Sequence, residues 1–336
     1  MLRGVGIAVF LLVSVLGWAS GRGPWPVGEL SLTLVEPGRG RQVEVLLLYP
    51  KGPEPVPLVL FSPGFLFTGP AYRSWGELFA SQGMAVALLS YAYSLFNPDH
   101  RVLAQDLAFA LGALPKEAER QGIRVDPERV ALVGHSLGGK LSFLVAAEHR
   151  VGAVVGLDPV DGGAPGVTDP VRFPSAIAVM GRVRAPVLLL GAEYGERTRF
   201  GSPCAPPNAN FRKFFEAAPG PALEVTQLGA GHVDYLDNPD CGLLCSVCWP
   251  GVDPAATRSR AQTYTLLFLR HHLLGDAAAP LELLELCPAT RRKSWCSCAK
   301  NRKGHFRAAE FLPRAFAKLG FARARRRESK GLQASD

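Results

Sequence analysis

After its first 21 residues the chain has no apolar run approaching the ~20 residues that a membrane-spanning helix needs, which excludes a protein that crosses a bilayer repeatedly. It has no internal repeat. It also lacks the low hydrophobicity and high charge of a disordered chain: charged residues are 20% of the 336 and hydrophobic ones 48%. A charge surplus is missing from the body as well. The net charge is +8, but residues 289–336 hold 14 of the 37 Lys+Arg and 3 of the 29 Asp+Glu, a net of +11 that leaves −3 for the rest. Such a body gives no electrostatic reason to expect nucleic acid as a partner.

What is present at the ends is distinct from the middle. Residues 1–21 combine a basic Arg3, an apolar stretch at 5–16 and the small residues Ala19-Ser20-Gly21, the pattern of a secretory signal peptide. The expectation is therefore a secreted or periplasmic protein. Residues 279–336 read as a basic, cysteine-containing tail, partly disordered, with Arg291-Arg292-Lys293 and Arg325-Arg326-Arg327 among its clusters. Phe311, Phe316 and Leu319 lie among those charges, so contact with an anionic surface is a second reading of the tail.

Seven cysteines stand at 204, 241, 245, 248, 287, 296 and 298, an odd number that leaves at least one outside any intrachain pair. The spacing Cys241-x3-Cys245-x2-Cys248 matches that of an iron–sulfur ligand set, but such a cluster suits a reducing compartment and an early barrel position. Zinc would find three thiolates and no evident fourth ligand. Disulfides clamping a surface loop over 241–257, a flap beside the cleft, fit an exported chain better.

Between the ends, short apolar runs alternate with helical periodicity. Strands are expected at 30–35, 43–49, 58–61, 84–90, 129–133, 151–157, 186–190 and 223–228, and helices at 72–81, 101–114, 137–149, 211–217 and 263–274. Pro37-Gly38-Arg39-Gly40 turns the first two strands into an antiparallel hairpin. The alternation implies an α/β fold: a mainly parallel central sheet with helices on both faces, an α/β-hydrolase plan spanning 22–278. In open sheets of this kind ligands bind beyond the carboxyl ends of the strands.

Three residues at such ends carry the chemistry. Gly134-His135-Ser136-Leu137-Gly138 is G-x-S-x-G between a strand and a helix, the context of a nucleophile elbow. Ser136 is the expected nucleophile, with the Leu137 amide facing the oxyanion. His232, in Gly229-Ala230-Gly231-His232 after the last strand, is the expected general base; His271 and His272 sit inside a helix pattern and His305 in the tail. Asp158, fused to a strand end, leads the candidates for the orienting acid, ahead of Glu193 and Asp161. Ser62-Pro63-Gly64-Phe65 follows the third strand. Pro63 has no N–H, so Phe65 is the expected second oxyanion donor and Gly64 the next. Phe65-Leu66-Phe67 would wall an apolar pocket.

Together these residues resemble the chlorophyllase family of α/β-hydrolases over residues 30–274. The resemblance is carried by Phe61-Ser62-Pro63-Gly64-Phe65, Gly134-His135-Ser136-Leu137-Gly138-Gly139, Gly156-Leu157-Asp158-Pro159-Val160 and Gly231-His232-Val233-Asp234-Tyr235-Leu236-Asp237. In that family the aspartate of Asp-Pro-Val is the triad acid, which implies Asp158. The sequence departs from the family pattern at Pro63, where His-Gly becomes Pro-Gly, and at Leu137, which replaces an arginine. The layout is also similar to lipases and platelet-activating-factor acetylhydrolases. The expectation is a monomeric serine esterase of apolar, lipid-like esters, needing no cofactor and no metal. Rival readings are an acyltransferase or peptidase with the same triad, or a non-catalytic surface-binding protein.

Overall fold

A computed structural model describes residues 21–52, 54–92, 98–163, 169–219, 221–286 and 296–299. The expected leader and most of the basic tail lie outside these residues. Among them, nine strands form one sheet: β1 (Val27–Glu36), β2 (Arg41–Pro50), β3 (Val56–Ser62), β4 (Ala85–Tyr91), β5 (Val125–His135), β6 (Ala153–Leu157), β7 (Val187–Ala192), β8 (Ala222–Gln227) and β9 (Cys296–Ala299). The order is β1-β2-β4-β3-β5-β6-β7-β8-β9. The opening hairpin pairs antiparallel from Val27 opposite Pro50 to Glu36 opposite Arg41. From β4 to β8 every pairing is parallel, and β9 closes the edge antiparallel to β8. This is an α/β-hydrolase fold, as the alternation of elements implied.

The helices are α1 (Arg73–Ser81), α2 (His100–Arg120), α3 (Leu137–Ala146), α4 (Ala176–Val179), α5 (Phe211–Ala217), α6 (Leu243–Ser246), α7 (Pro254–Leu274) and α8 (Ala279–Leu286). All seven residues of β3 are buried, because the strand is covered on both sides. Its side chains alternate. Val59 and Phe61 join Trp75 and Phe79 of α1 and Leu266 to Leu269 of α7 on one face. Leu58 and Leu60 join Leu103 and Leu107 of α2 and Leu141 and Phe143 of α3 on the other. The strand period of two thus divides one apolar run between two cores.

Several boundaries differ from the sequence pattern. α2 runs through Pro115 to Arg120, beyond the expected end at 114, and Ala118 on its last turns is buried. α7 begins at Pro254 rather than 263. Its start is set by Asp253, whose side chain accepts the Ala256 N–H, and by Pro254 in the first turn, not by apolar periodicity. In the stretch read as tail, α8 buries Ala279 and Leu283 in the same core as α7. Among the described residues no helix is long and apolar enough to cross a membrane.

Candidate active site

The carboxyl ends of β5, β6 and β8 meet in one place. β5 ends at His135, and Ser136 follows with φ 53° and ψ −117°, a backbone conformation that non-glycine residues rarely adopt. The turn is so tight that its glycines have no room for a side chain. A methyl group on Gly134 would lie 2.2 Å from the Gly138 carbonyl, and one on Gly138 would lie 2.0 Å from the Ser62 carbonyl oxygen. The two glycines of G-x-S-x-G are therefore a packing requirement. Ser136 is partly exposed, and α3 starts at the next residue. Leu137 N–H is among the first-turn amides that helix geometry leaves without an intrahelical acceptor.

β6 ends at Leu157 and delivers Asp158, also at positive φ (42°) and fully buried. Its Oδ1 accepts the Ala192 N–H at 3.1 Å, and its Oδ2 stands 2.6 Å from His232 Nδ1. His232 opens a short 3₁₀ turn, His232–Tyr235, after β8, and its Nε2 lies 2.9 Å from Ser136 Oγ. A carboxylate can only accept, so Nδ1 carries the proton and the Nε2 lone pair faces the serine hydroxyl. The other two acid candidates are occupied elsewhere. Glu193 accepts the Gly229 N–H at 2.7 Å. Asp161 accepts from Ser175 Oγ and the Ala176 amide and stands 3.5 Å from the buried Lys140 ammonium. His271 bonds the Asp276 carbonyl and His272 packs on Phe268, both on α7 and outside this group.

The loop after β3 abuts the start of α3, as the crowding between Gly138 and Ser62 requires. Gly64 N–H donates to Tyr72 Oη at 3.0 Å, so this amide is engaged. Phe67 N–H donates to the Gly64 carbonyl at 3.0 Å, and Leu66 has φ 65°, the arrangement of a tight turn with a left-handed third residue. That hydrogen bond fixes the plane of the Gly64–Phe65 peptide, and hence the direction of the Phe65 N–H. Phe65, Leu66 and Phe67 are all half-buried.

Two further residues lie within the quoted motifs, with nothing in the sequence to mark them as buried. His135, the x of the serine motif, is buried; burial and the neighbouring His232 hold its pKa well below the ordinary histidine value. Asp234 is fully buried and accepts the Gly231 N–H at 2.8 Å. Burial raises its pKa to about 6 against the opposing pull of the Gly231 and Gly251 amides. Asp234 joins the His232 loop to residues 249–252, whose Val252 N–H bonds the Gly229 carbonyl. That segment is braced by disulfides Cys204–Cys248 and Cys241–Cys245, so the three closely spaced cysteines are bonded covalently. Among the described residues no group of three metal-ligating side chains comes together.

Residues 27–282 match the family model described as Chlorophyllase. The chain is 28% identical to Chlorophyllase-2 of Arabidopsis thaliana over 252 residues, covering 69% of this chain and 78% of that protein. It is 26% identical to Chlorophyllase-1, chloroplastic, of Citrus sinensis over 204 residues, 58% of this chain and 60% of that one. A shorter stretch of 104 residues, 31% of this chain and 39% of the relative, is 31% identical to Cutinase 1 of Thermobifida cellulosilytica. With a family match that extends from β1 into α8, the chain belongs to the chlorophyllase family.

Proposed function

We propose that the chain is a serine carboxylic-ester hydrolase acting on an apolar ester. The observation that carries the reading is the unbroken line from Asp158 through His232 to Ser136, with contacts of 2.6 and 2.9 Å, a buried acid and a partly exposed serine. Membership of a family whose relatives are named chlorophyllases, and a partial likeness to a cutinase, support ester hydrolysis as the reaction class.

In this reading Ser136 Oγ attacks the ester carbonyl as His232 Nε2 takes its proton. Asp158 keeps the imidazole in the Nδ1–H form and stabilises the imidazolium. The charge developing on the carbonyl oxygen is held by the Leu137 N–H at the start of α3 and by the Phe65 N–H. Such preorganised donors typically contribute 10²–10³-fold each. His232 then returns the proton to the leaving alcohol, and water, activated by the same imidazole, releases the acyl group. The half-buried Phe65, Leu66 and Phe67 make an apolar acyl or alcohol group the natural ligand. The leader pattern at 1–21, together with two disulfides, supports export to an oxidising compartment.

The test is hydrolysis of p-nitrophenyl acetate, octanoate and palmitate beside Ser136→Ala. Turnover in the unsubstituted protein and its loss in the variant are expected, with chain-length preference sizing the pocket. A folded protein inert on all three, and unlabelled at Ser136 by a fluorophosphonate, would overturn the reading.

A further inference from the structure

His135 occupies a position where a nucleophile motif needs no particular side chain, yet it is 1% exposed and both ring nitrogens are engaged. Nε2 lies 2.8 Å from the backbone carbonyl of His232. Nδ1 lies 2.8 Å from Tyr72 Oη. Tyr72 Oη in turn accepts the Gly64 N–H at 3.0 Å. The direction of every proton in this line follows from its ends. A carbonyl only accepts, so His135 carries its proton on Nε2. Nδ1 is then a lone pair, so the Tyr72 hydroxyl donates to it and receives the Gly64 N–H on its oxygen. The ring centroid lies 4.9 Å from that of His232 and 5.5 Å from that of Tyr235, tilted by 40° and 41° to them.

We propose that Tyr72 and His135 are positioning residues that tie the two halves of the site together, holding the backbone of His232 at one end and the Gly64 peptide of the oxyanion loop at the other. The proposal rests on the reading of Ser136, His232 and Asp158 as a triad. His232 then has two fixed points, Nδ1 on Asp158 and its own carbonyl on His135, which set both the tilt and the depth of the imidazole. At the far end, fixing Gly64 N while Phe67 N–H fixes Gly64 O leaves the Phe65 N–H a single direction. The line must be neutral to work. A protonated His135 would place a second cation against the imidazolium that forms on His232, and Tyr72 could no longer donate to Nδ1. Burial of the ring enforces neutrality.

The experiment combines imidazole ¹⁵N NMR at pH 7 with kinetics on p-nitrophenyl acetate. His135 should be protonated at Nε2, with a hydrogen-bonded lone pair at Nδ1. In Tyr72→Phe the Nδ1 signal should move to the position of a free lone pair. The kcat should fall about 10–100-fold, as expected for a small misplacement of a catalytic group, with KM within about twofold. His135→Gln, which keeps an N–H donor for the His232 carbonyl, should retain more kcat than the apolar His135→Leu. A proton on Nδ1 of His135, or a folded Tyr72→Phe with an unmoved Nδ1 signal and unchanged kcat, would overturn the proposal. Absence of turnover in the unsubstituted protein would sink the esterase reading instead, and the NMR signals would still decide the relay.

Discussion

Acid is the perturbation to which this fold should be most sensitive, and three histidines withdrawn from water, His100 and His135 buried and His272 half-buried, are the reason. Burial lowers His100 to about 3, with Lys140 adding to the shift against Asp99, and lowers His272 to about 4, with His271 adding; His135 also lies well below the ordinary value. In the unfolded chain each returns to about 6.5. Between pH 6.5 and the folded value, the unfolded state therefore binds a proton that the native state refuses, so stability falls as pH falls. At pH 4 that linkage amounts to about 3 kcal/mol each for His100 and His272 relative to pH 7. Asp234 works in the opposite sense. Its folded pKa of about 6 exceeds the unfolded 3.8, so protonation stabilises the fold as pH drops through 6, returning about 2 kcal/mol by pH 4. The net loss from these three groups is about 4 kcal/mol, a large share of the stability of a typical domain. Urea unfolding followed by tryptophan fluorescence, at half-unit steps from pH 8 to 4, measures it directly. The slope should flatten in His272→Leu and in His100→Leu. His100 packs edge-on to Phe173, and its Nδ1 has no hydrogen-bond partner among the described residues, so an apolar replacement leaves nothing unsatisfied there. An unfolding free energy that stayed level from pH 7 to 4.5, or variants as acid-labile as the parent, would refute the assignment of this sensitivity to histidines that the fold keeps neutral.

Three further outcomes follow from the geometry. Asp158→Asn should lower kcat by about 10⁴-fold with little change in the urea midpoint, because the amide would push His232 into the wrong tautomer while still accepting the Ala192 N–H; pH-controlled ester kinetics read this. Opening Cys204–Cys248, which closes a separation of 44 residues, should cost about 4 kcal/mol on the chain-entropy scale, against about 2 for Cys241–Cys245 with a separation of 4; single Cys→Ser pairs compared by urea unfolding test the ranking, and reduction should lower activity on bulky esters if the braced segment shapes the cleft. Gly138→Ala forces a methyl group into the Ser62 backbone carbonyl, which has no flexible end to yield, so a loss of about 3 kcal/mol or failure to fold is expected on expression and melting.

How legible this was in the sequence depended on how local each constraint is. The strained turn at Ser136 must have glycines two residues away on either side, and a strand must run into it and a helix out of it, so the whole requirement is written between Val125 and Ala146. Asp158 and His232 are one step past β6 and a short glycine loop past β8, and any open parallel sheet marks those positions. The first half of α7 carried no such mark, because residues 254–262, Pro-Ala-Ala-Thr-Arg-Ser-Arg-Ala-Gln, have no apolar stripe. Asp253-Pro254 was the available signal, a capping side chain followed by a residue that needs no amide hydrogen. The partners of His135 were beyond reach for a different reason. Tyr72 is 63 residues away and the His232 carbonyl 97, and nothing in a histidine's neighbours along the chain tells whether its ring will be dry. The same distinction separates the acid candidates. Glu193 and Asp161 also follow strand ends, and only the folded arrangement commits one to the Gly229 amide and the other to α4 and Lys140. Strand ends therefore mark where reactive groups can stand, while long-range hydrogen bonds to buried polar atoms decide which of them face one another, and it is this second set of contacts that substitutions at Tyr72 and His135 probe.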